Sequence, residues 1–276
     1  MRCRGGWVLH VVLASAAFVS VAAAQPYTQR SFLVPERHVE ITGTPARPEV
    51  AWVALSQGIA GDFAGLSPHL YWGATERVTL GITHRGGLCL RGCDLPPFTR
   101  RYDDVGFALL AGIKKSRTFE LDLHLELQAR KLGPFLLGLQ AGVLGRITFG
   151  GGPVALVFDP SVYVGLTHRD GVELVYWQSN VLPIQEGRPP LFQNRDESVL
   201  PFWFYFQASD VVVPFVGAAF DGDPWITLNY AALDAGVLFE LARDVDLGAV
   251  FRVYEVRFED PDFDDRSAGL LARFRL

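Results

Sequence analysis

The chain past residue 25 lacks any long apolar run. No stretch there approaches the roughly 18 consecutive uncharged apolar residues that a membrane-spanning helix needs. Yet 49% of the residues are hydrophobic and the mean hydropathy is +0.19. No segment has the spacing of a helix either. A helical membrane span is therefore excluded in the mature chain, and the apolar residues must lie on strands.

Cysteine, basic tracts and catalytic motifs are also scarce. Downstream of residue 24 only Cys89 and Cys93 remain, and in an exported protein we expect them to pair and staple one loop. A metal site that includes His84 is disfavoured, because the doubled ligand spacing of zinc sites is missing. The acidic net charge of −5 predicts no nucleic-acid partner. No G-x-S-x-G motif occurs, and the glycines at 150–152 lack a strand–helix context, so neither an enzyme nor a cofactor is predicted.

The first 24 residues have the three parts of a secretory signal peptide. Arg2 and Arg4 precede the apolar residues 8–21, and residues 22–24 are three alanines. This pattern predicts cleavage before Gln25. An uncleaved anchor helix is the disfavoured alternative because the apolar run is short, and no cysteine at the cleavage point indicates a lipoprotein. Residues 25–276 contain no linker, which predicts one domain.

The clearest strand pattern covers residues 118–128. One face consists of Phe119 and the leucines at 121, 123, 125 and 127, and the other is almost wholly ionisable. Alternation with a period of two is typical of a β-strand. In a soluble sandwich the apolar face would cover a core. In a transmembrane barrel it would contact lipid, and the polar face would line the interior.

Similar alternation recurs from residue 66 to the C-terminus. It predicts strands at residues 66–73, 77–84, 105–113, 118–128, 135–147, 154–167, 172–179, 200–207, 211–220, 228–241, 245–258 and 267–276. Residues 38–42 and 50–55 are candidates for further short strands, and residues 25–35 have no period and lead into the fold. The prediction is an all-β, antiparallel up-and-down transmembrane barrel with about 12 strands, within a range of roughly 10 to 14.

The predicted connections contain one inconsistency. Counting back from the C-terminus places the tight turns 209–210 and 243–244 at one end, as bacterial barrels require of their periplasmic turns. The same count places the turn 114–117 at the opposite end and the long loop 85–102 at the tight-turn side. We expect one additional strand between residues 130 and 200, with 154–158 as its candidate, and one more before residue 66.

Three features favour the barrel over a sandwich. The apolar faces are long and continuous, the opposite faces are largely Gly, Ala and scattered charge, and tight turns alternate with long loops such as 181–199 and 259–265. Aromatic residues also cluster near predicted strand ends, where they could form interfacial girdles. These aromatics are Tyr71, Trp72, Tyr176, Trp177, Trp203, Tyr205, Trp225, Tyr230 and Tyr254.

The last strand carries a resemblance to a known class. Residues 269–276 place Leu270, Ala272, Phe274 and Leu276 on one face and Arg273 and Arg275 on the other. This resembles the C-terminal strand of Gram-negative outer-membrane β-barrels, although such strands usually end in an aromatic residue and this one ends in leucine. The resemblance implies a location in the outer membrane, contact with its lipid, and recognition of the strand by the barrel-assembly machinery. No particular family within the class is indicated.

Polar residues on the inward faces are the candidate functional residues. The lumen-lining candidates are Glu120, Asp122, His124, Glu126, Gln128, Arg146, Asp234, Glu240, Asp246, Arg252, Arg273 and Arg275. They could form charge ladders across a narrow interior, or line a passage for ions or small solutes that the acids bias toward cations. The predicted function is such a passage.

Three alternatives stay open beside the passage. The first is a structural or adhesive barrel that acts through its loops, which the low polarity of several inward faces favours. The second is a rim hydrolase that uses Glu120 or Asp122 with His124 as a carboxylate–histidine pair. The third is a secreted soluble β-protein, which would stay monodisperse without detergent because its apolar faces would be internal.

Overall fold

The computed structural model describes most of the chain from residue 26 onward. The described ranges are 26–42, 53–57, 63–66, 68–84, 88–91, 105–132, 135–167, 172–173, 191–192, 196–222, 228–256 and 266–276. The predicted leader, Cys93 and the loop 259–265 lie outside these residues. The leader and the disulfide therefore stay predictions. Within the described ranges, no helix is long and apolar enough to cross a membrane.

Strands dominate the described chain. Apart from a short 3-10 helix at Tyr27–Gln29, the elements are β1 (Val39–Thr42), β2 (Val53–Gln57), β3 (Phe63–Leu66), β4 (His69–Thr75), β5 (Val78–Thr83), β6 (Leu88–Arg91), β7 (Val105–Lys115), β8 (Phe119–Leu132), β9 (Phe135–Phe149), β10 (Val154–Phe158), β11 (Ser161–Gly165), β12 (Val172–Glu173), β13 (Leu191–Phe192), β14 (Glu197–Phe206), β15 (Val212–Gly222), β16 (Leu228–Ala242), β17 (Val245–Val256) and β18 (Arg266–Arg275).

The strands form a closed antiparallel barrel. Around the ring the order is β1-β4-β5-β7-β8-β9-β10-β14-β15-β16-β17-β18, and the pairing of β18 with β1 closes it. The short strands β2, β3 and β6 continue the lines of β1, β4 and β5, while β11 continues β10 between β9 and β14. The prediction of an all-β barrel with about 12 strands is confirmed by this ring of 12.

The connections resolve the inconsistency in the predicted strand count. The turns at 76–77, 116–118, 150–153, 207–211 and 243–244 all lie at one end of the ring, which we call the tight-turn end. The expected strand before residue 66 exists, as β1 with β2. The additional strand expected between residues 130 and 200 is wrong, because β10 and β11 together occupy one position in the ring. Strand β12, inside the predicted strand 172–179, pairs with β13 in a separate sheet.

The two faces of strand β8 show that the apolar side of the barrel wall faces outward. Glu120, Asp122, His124, Glu126 and Gln128 are buried, whereas Leu127 on the alternate face is exposed. The same division holds around the wall. Exposed apolar side chains include Leu80, Ile82, Phe107, Leu139, Phe204, Val216, Phe239, Leu247, Phe251 and Leu270. An apolar exterior around a partly polar interior is the arrangement of a membrane barrel, because lipid replaces the core as the apolar solvent.

Several aromatics predicted for interfacial girdles lie inside the barrel instead. Tyr71 and Trp203 are 3% and 0% exposed, and Tyr205 is also buried, whereas the adjacent Trp72 is 46% exposed. The reason is the period of two, since neighbouring residues on a strand face opposite sides. The buried rings lie over glycines of neighbouring strands. A Cβ added to Gly81 would lie 2.5 Å from the Tyr71 ring.

Much of the described interior is an apolar core. Buried wall residues pack together with Phe32 and Leu33 from the segment that precedes the first strand. The wall members of this cluster are Leu110, Leu144, Val157, Trp203, Tyr205, Val213, Phe215, Leu238, Val250 and Leu271. The interior in this conformation is therefore filled by side chains where the cluster lies.

Candidate functional site: the barrel interior and its N-terminal segment

Residues 26–35 cross the interior at the tight-turn end, and we call them the plug segment. They do not join the sheet as a strand. Thr28 Oγ1 donates a hydrogen bond to the backbone oxygen of Gly152 on one side of the barrel. On the other side, the backbone N–H of Val34 donates to Thr79 Oγ1 at 2.9 Å. The plug segment thus spans from the turn between β9 and β10 to strand β5.

Arg30 joins the plug segment to the wall through charged contacts. Its Nη1 donates to both carboxylate oxygens of Asp246 at 3.0 Å, and its Nη2 contacts Oε2 of Glu240. The two acids belong to β17 and β16. Arg273 of β18 forms a second ion pair with Asp246. Hydrogen bonds between charged groups are stronger than neutral ones, so Arg30 fixes the plug segment to this part of the wall.

A second contact forms around Glu120 and Arg146. Glu120 Oε1 accepts hydrogen bonds from Ser31 Oγ at 2.6 Å and from the backbone N–H of Phe32 at 3.2 Å. Its Oε2 accepts from Arg146 Nη2 at 2.7 Å, and Arg146 Nη1 also donates to the backbone oxygen of Arg30. This wall ion pair therefore holds the plug backbone as well as itself.

The apolar residues of the plug segment add to this docking. Phe32, Leu33 and Val34 are buried. Arg146 Cζ lies 5.3 Å from the centre of the Phe32 ring, within the range of a cation–π contact. Burying each such side chain contributes about 1.5–3 kcal/mol relative to exposure. The plug segment is thus held by packing and by charge together.

Tyr27 lies beside the cations at this docking site. Its backbone N–H donates to Glu240 Oε1 at 3.2 Å, and the Cζ atoms of Arg30 and Arg273 lie 5.9 and 5.5 Å from its ring centre. The pKa of the Tyr27 hydroxyl is raised to about 12, because the effect of burial outweighs the opposing effect of Arg273 and Arg30, and Asp246 acts in the same direction as burial. The phenol therefore stays neutral at physiological pH.

The structure places all twelve residues predicted to line the lumen on the inner side of the wall. Within this set, arginines meet acids on neighbouring strands. Glu120 meets Arg146, Asp234 meets Arg252, and Asp246 meets Arg273. Arg275 pairs with Glu40, an acid of β1 that the sequence analysis did not single out. Trp203 Nε1 also donates to Asp234 at 3.1 Å.

His124 pairs with acids other than the predicted ones. Its Nδ1 lies 3.2 Å from Oδ1 of Asp159, and its Nε2 lies 3.8 Å from Oε2 of Glu126. Glu126 Oε1 in turn accepts a hydrogen bond from Thr83 Oγ1 at 2.5 Å. Glu120 instead contacts Arg146 and the plug segment. The carboxylate–histidine pair proposed for a rim hydrolase does not form between His124 and Glu120 in this arrangement.

A cavity of about 840 Å³ lies at the tight-turn end next to the plug segment. Ser31, Leu33 and Pro35 form one side of it, and Asp122 and several basic residues line the remainder. Asp122 Oδ2 is buried, and within the described chain it has no hydrogen-bond partner. The cavity is large enough to hold water or a small solute, and it lies directly beside the plug segment.

The role of the plug segment and of Arg30 was not predicted from the sequence. Segment 25–35 has no period, and tertiary contacts of an irregular segment leave no local pattern. One signal was available: the inward acids outnumber the inward arginines on the predicted strands, so an additional cation was needed to neutralise them. Arg30, the first arginine after the predicted cleavage site, supplies it.

The fold was compared with those of proteins of known structure. The fold resembles that of outer-membrane porins. The chain matches the NanC porin with a TM-score of 0.54 at 4% identity, covering 86% of this chain and 98% of that one. It matches the KdgM porin with a TM-score of 0.51, also at 4% identity and with the same coverage. No protein-family model and no curated protein sequence matches the chain.

Proposed function

We propose that this protein is an outer-membrane channel for ions or small solutes, closed in this conformation by its own plug segment. The observation that carries the proposal is the docking of Arg30 between Glu240 and Asp246. Arg30 belongs to the plug segment, and its charge neutralises acids that belong to the strands of the wall. When the plug segment leaves, those acids face a hydrated interior.

The charge of the interior supports passage of cations. Among the buried side chains of the described residues, carboxylates outnumber guanidinium groups. Rings of acidic side chains favour cations, because they lower the energy of a cation that has lost part of its hydration shell. Once Arg30 is withdrawn, the excess of acids increases. The open channel is therefore expected to prefer cations over anions.

The structural similarity to porins supports the outer-membrane location and the channel function that we propose for this protein. The two porins named above share the barrel architecture, and at 4% identity the likeness concerns the fold alone. The apolar exterior fits lipid as the surrounding solvent. We infer an outer-membrane location from these two observations. Detergent dependence of the purified protein tests it, since a soluble protein would stay monodisperse without detergent.

One observation favours a second candidate, a barrel that never conducts. The apolar cluster around Trp203 and Phe215 fills part of the interior with side chains of the wall itself. If the cluster alone closes the barrel, removal of the plug segment will not open it. The protein would then act as a structural barrel or through its loops.

Conductance in planar bilayers tests the proposal. The chain from Gln25 onward is compared with a variant whose residues 26–35 are replaced by a glycine–serine segment of equal length. A heat-modifiable band on an unheated gel verifies that each variant is folded. We expect rare, small openings for the first protein and sustained cation-selective steps for the variant. A folded variant that inserts and never conducts overturns the channel and supports the structural barrel.

A further inference from the structure

Two buried acids of the wall oppose each other on neighbouring strands. Glu240 on β16 pairs in register with Asp246 on β17, and the two are 6% and 2% exposed. Residues in direct register have Cβ atoms about 4.5–5.5 Å apart, so like charges at these positions repel. Asp246 forms an ion pair with Arg273 of the wall, and Glu240 forms its ion pair with Arg30 of the plug segment.

A guanidinium group occupies the space between these acids. The Arg30 side chain donates to both oxygens of Asp246 at 3.0 Å and contacts Glu240. Gln207 also holds Glu240, because its Nε2 donates to Glu240 Oε1 at 2.7 Å. The planar guanidinium fork matches two carboxylates better than an ammonium group does, and it is less strongly hydrated. The wall is therefore shaped as a guanidinium-binding site.

Within the described residues, one hydrogen-bond acceptor beside this site has no partner when Arg30 occupies the site. Gln207 Oε1 is buried, and it has no hydrogen-bond partner in the part of the chain that the structure describes. Buried polar atoms are usually paired, so such atoms indicate a missing partner. A free guanidinium-bearing solute is not restrained by the plug backbone, and an additional N–H of the solute can reach the acceptor on Gln207.

We propose that Glu240, Asp246 and Gln207 form a binding site for small guanidinium-bearing solutes, and that Arg30 occupies it as an internal mimic of the solute. The role of the site in selecting what crosses the barrel rests on the proposed channel. Binding itself does not require conductance. A solute that binds here displaces Arg30 and weakens the docking of the plug segment.

Arg30 is attached to the barrel through the plug segment, and this attachment determines the concentration at which a free solute can displace it. A group on a short flexible linker acts at an effective concentration in the millimolar range. In the wild-type protein a free solute must exceed that concentration to displace Arg30. In an Arg30→Ala variant the competitor is absent while the wall site is unchanged. The variant should therefore bind the solute at least about tenfold more tightly than the wild type.

Calorimetric titration of the detergent-solubilised chain with methylguanidinium chloride tests the site. The wild type is compared with Arg30→Ala and with Arg30→Ala combined with Glu240→Gln and Asp246→Asn. Arg37→Asn is the matched control, since Arg37 is exposed and asparagine tolerates the φ of 63° at this position. Methylammonium at equal concentration tests whether the guanidinium shape matters.

The expected result is at least about tenfold tighter binding to Arg30→Ala than to the wild type or Arg37→Asn, and loss of binding in the combined variant. Equal affinities for Arg30→Ala and the wild type, or equal binding of methylammonium, overturn the proposal. Because removal of Arg30 could impair folding, Arg30→Lys serves as a second variant with a retained charge. Arg30→Lys should bind methylguanidinium more tightly than the wild type does and less tightly than Arg30→Ala does.

Conductance separates this proposal from the channel. Binding with the expected specificity in a barrel that never conducts supports the site and refutes only the channel. Conductance after removal of the plug segment, without methylguanidinium binding to Arg30→Ala, supports the channel and refutes the site. The two proposals can therefore fail independently.

Discussion

The guanidinium of Arg252 holds the carboxylate of Asp234 through two hydrogen bonds, from Nε at 2.5 Å and from Nη2 at 2.6 Å. The two residues oppose each other on β17 and β16, and both lie mainly inside the barrel. This pair joins two neighbouring strands of the wall. Substitutions in this pair therefore show how much the pairing of buried charges contributes to the stability of the wall.

Arg252→Met should destabilise the barrel by about 3–5 kcal/mol, because it leaves the Asp234 carboxylate buried without its cation. The double variant Arg252→Met/Asp234→Leu removes both charges and should recover part of this loss. Recovery will be incomplete, since Trp203 Nε1 then lacks its acceptor. Urea titration in detergent micelles measures the free energy of unfolding. Equal losses in the single and double variants would contradict this explanation.

Gly138 on β9 provides a test of the interior packing of aromatic rings. A Cβ added there would overlap the ring of Tyr163 on β11. Gly138→Ala should therefore cost about 1–3 kcal/mol of unfolding free energy through overpacking. In a Tyr163→Val background the added methyl group has room, and the same substitution should cost much less. A cost that does not depend on residue 163 would mean that the ring and the glycine are not coupled.

Docking of the plug segment can be measured by chemical labelling. In a background with Cys89→Ser and Cys93→Ser, Val34→Cys should react slowly with a charged maleimide, because Val34 is buried. Adding Arg30→Ala should raise the labelling rate at least about tenfold, since charge-assisted hydrogen bonds contribute about 1.5–3 kcal/mol each. Arg37→Asn is the control and should leave the rate unchanged. Unchanged labelling in Arg30→Ala would indicate that Arg30 does not hold the plug segment.

High pH should release the plug segment. Burial raises the pKa of Tyr27 from 10.0 to about 12. The docked state favours the neutral phenol, so its contribution is complete below pH 10 and is lost as the pH rises toward about 12. Labelling of Val34→Cys, corrected for the pH dependence of the thiol with an exposed Arg37→Cys reference, should accelerate across this range. Tyr27→Phe should remove the acceleration, and an unchanged acceleration in that variant would assign it to another group.

Alternation along the strands predicted the all-β fold, and the long apolar faces with the pattern of turns and loops favoured a barrel over a sandwich. The charged face of residues 118–128 became the inner face of β8 because a period of two fixes which side chains share a side. The acids and arginines of the interior followed from the same rule. The prediction for Trp203 and Tyr205 was wrong because it used their place near a strand end, whereas the period of two puts them on the inner face.

Contacts between distant segments could not be read from the sequence. The joining of β1 and β2 into one position of the ring depends on register with β18, more than 200 residues away. The plug segment has no period of its own, and its position is set by Arg30, Ser31 and Phe32 meeting acids on β8, β16 and β17. Only the unbalanced charge of the predicted interior indicated that a cation was missing.

The central claim is that residues 26–35 close the barrel, and restoring closure with a separate peptide tests it most directly. The variant that lacks the plug sequence is held in a planar bilayer, and a peptide of residues 25–35 is added to the side of the tight-turn end. We predict that the peptide blocks the current reversibly and that a peptide with Arg30→Ala is at least about tenfold weaker. Sustained current that neither peptide affects would contradict closure by the plug segment.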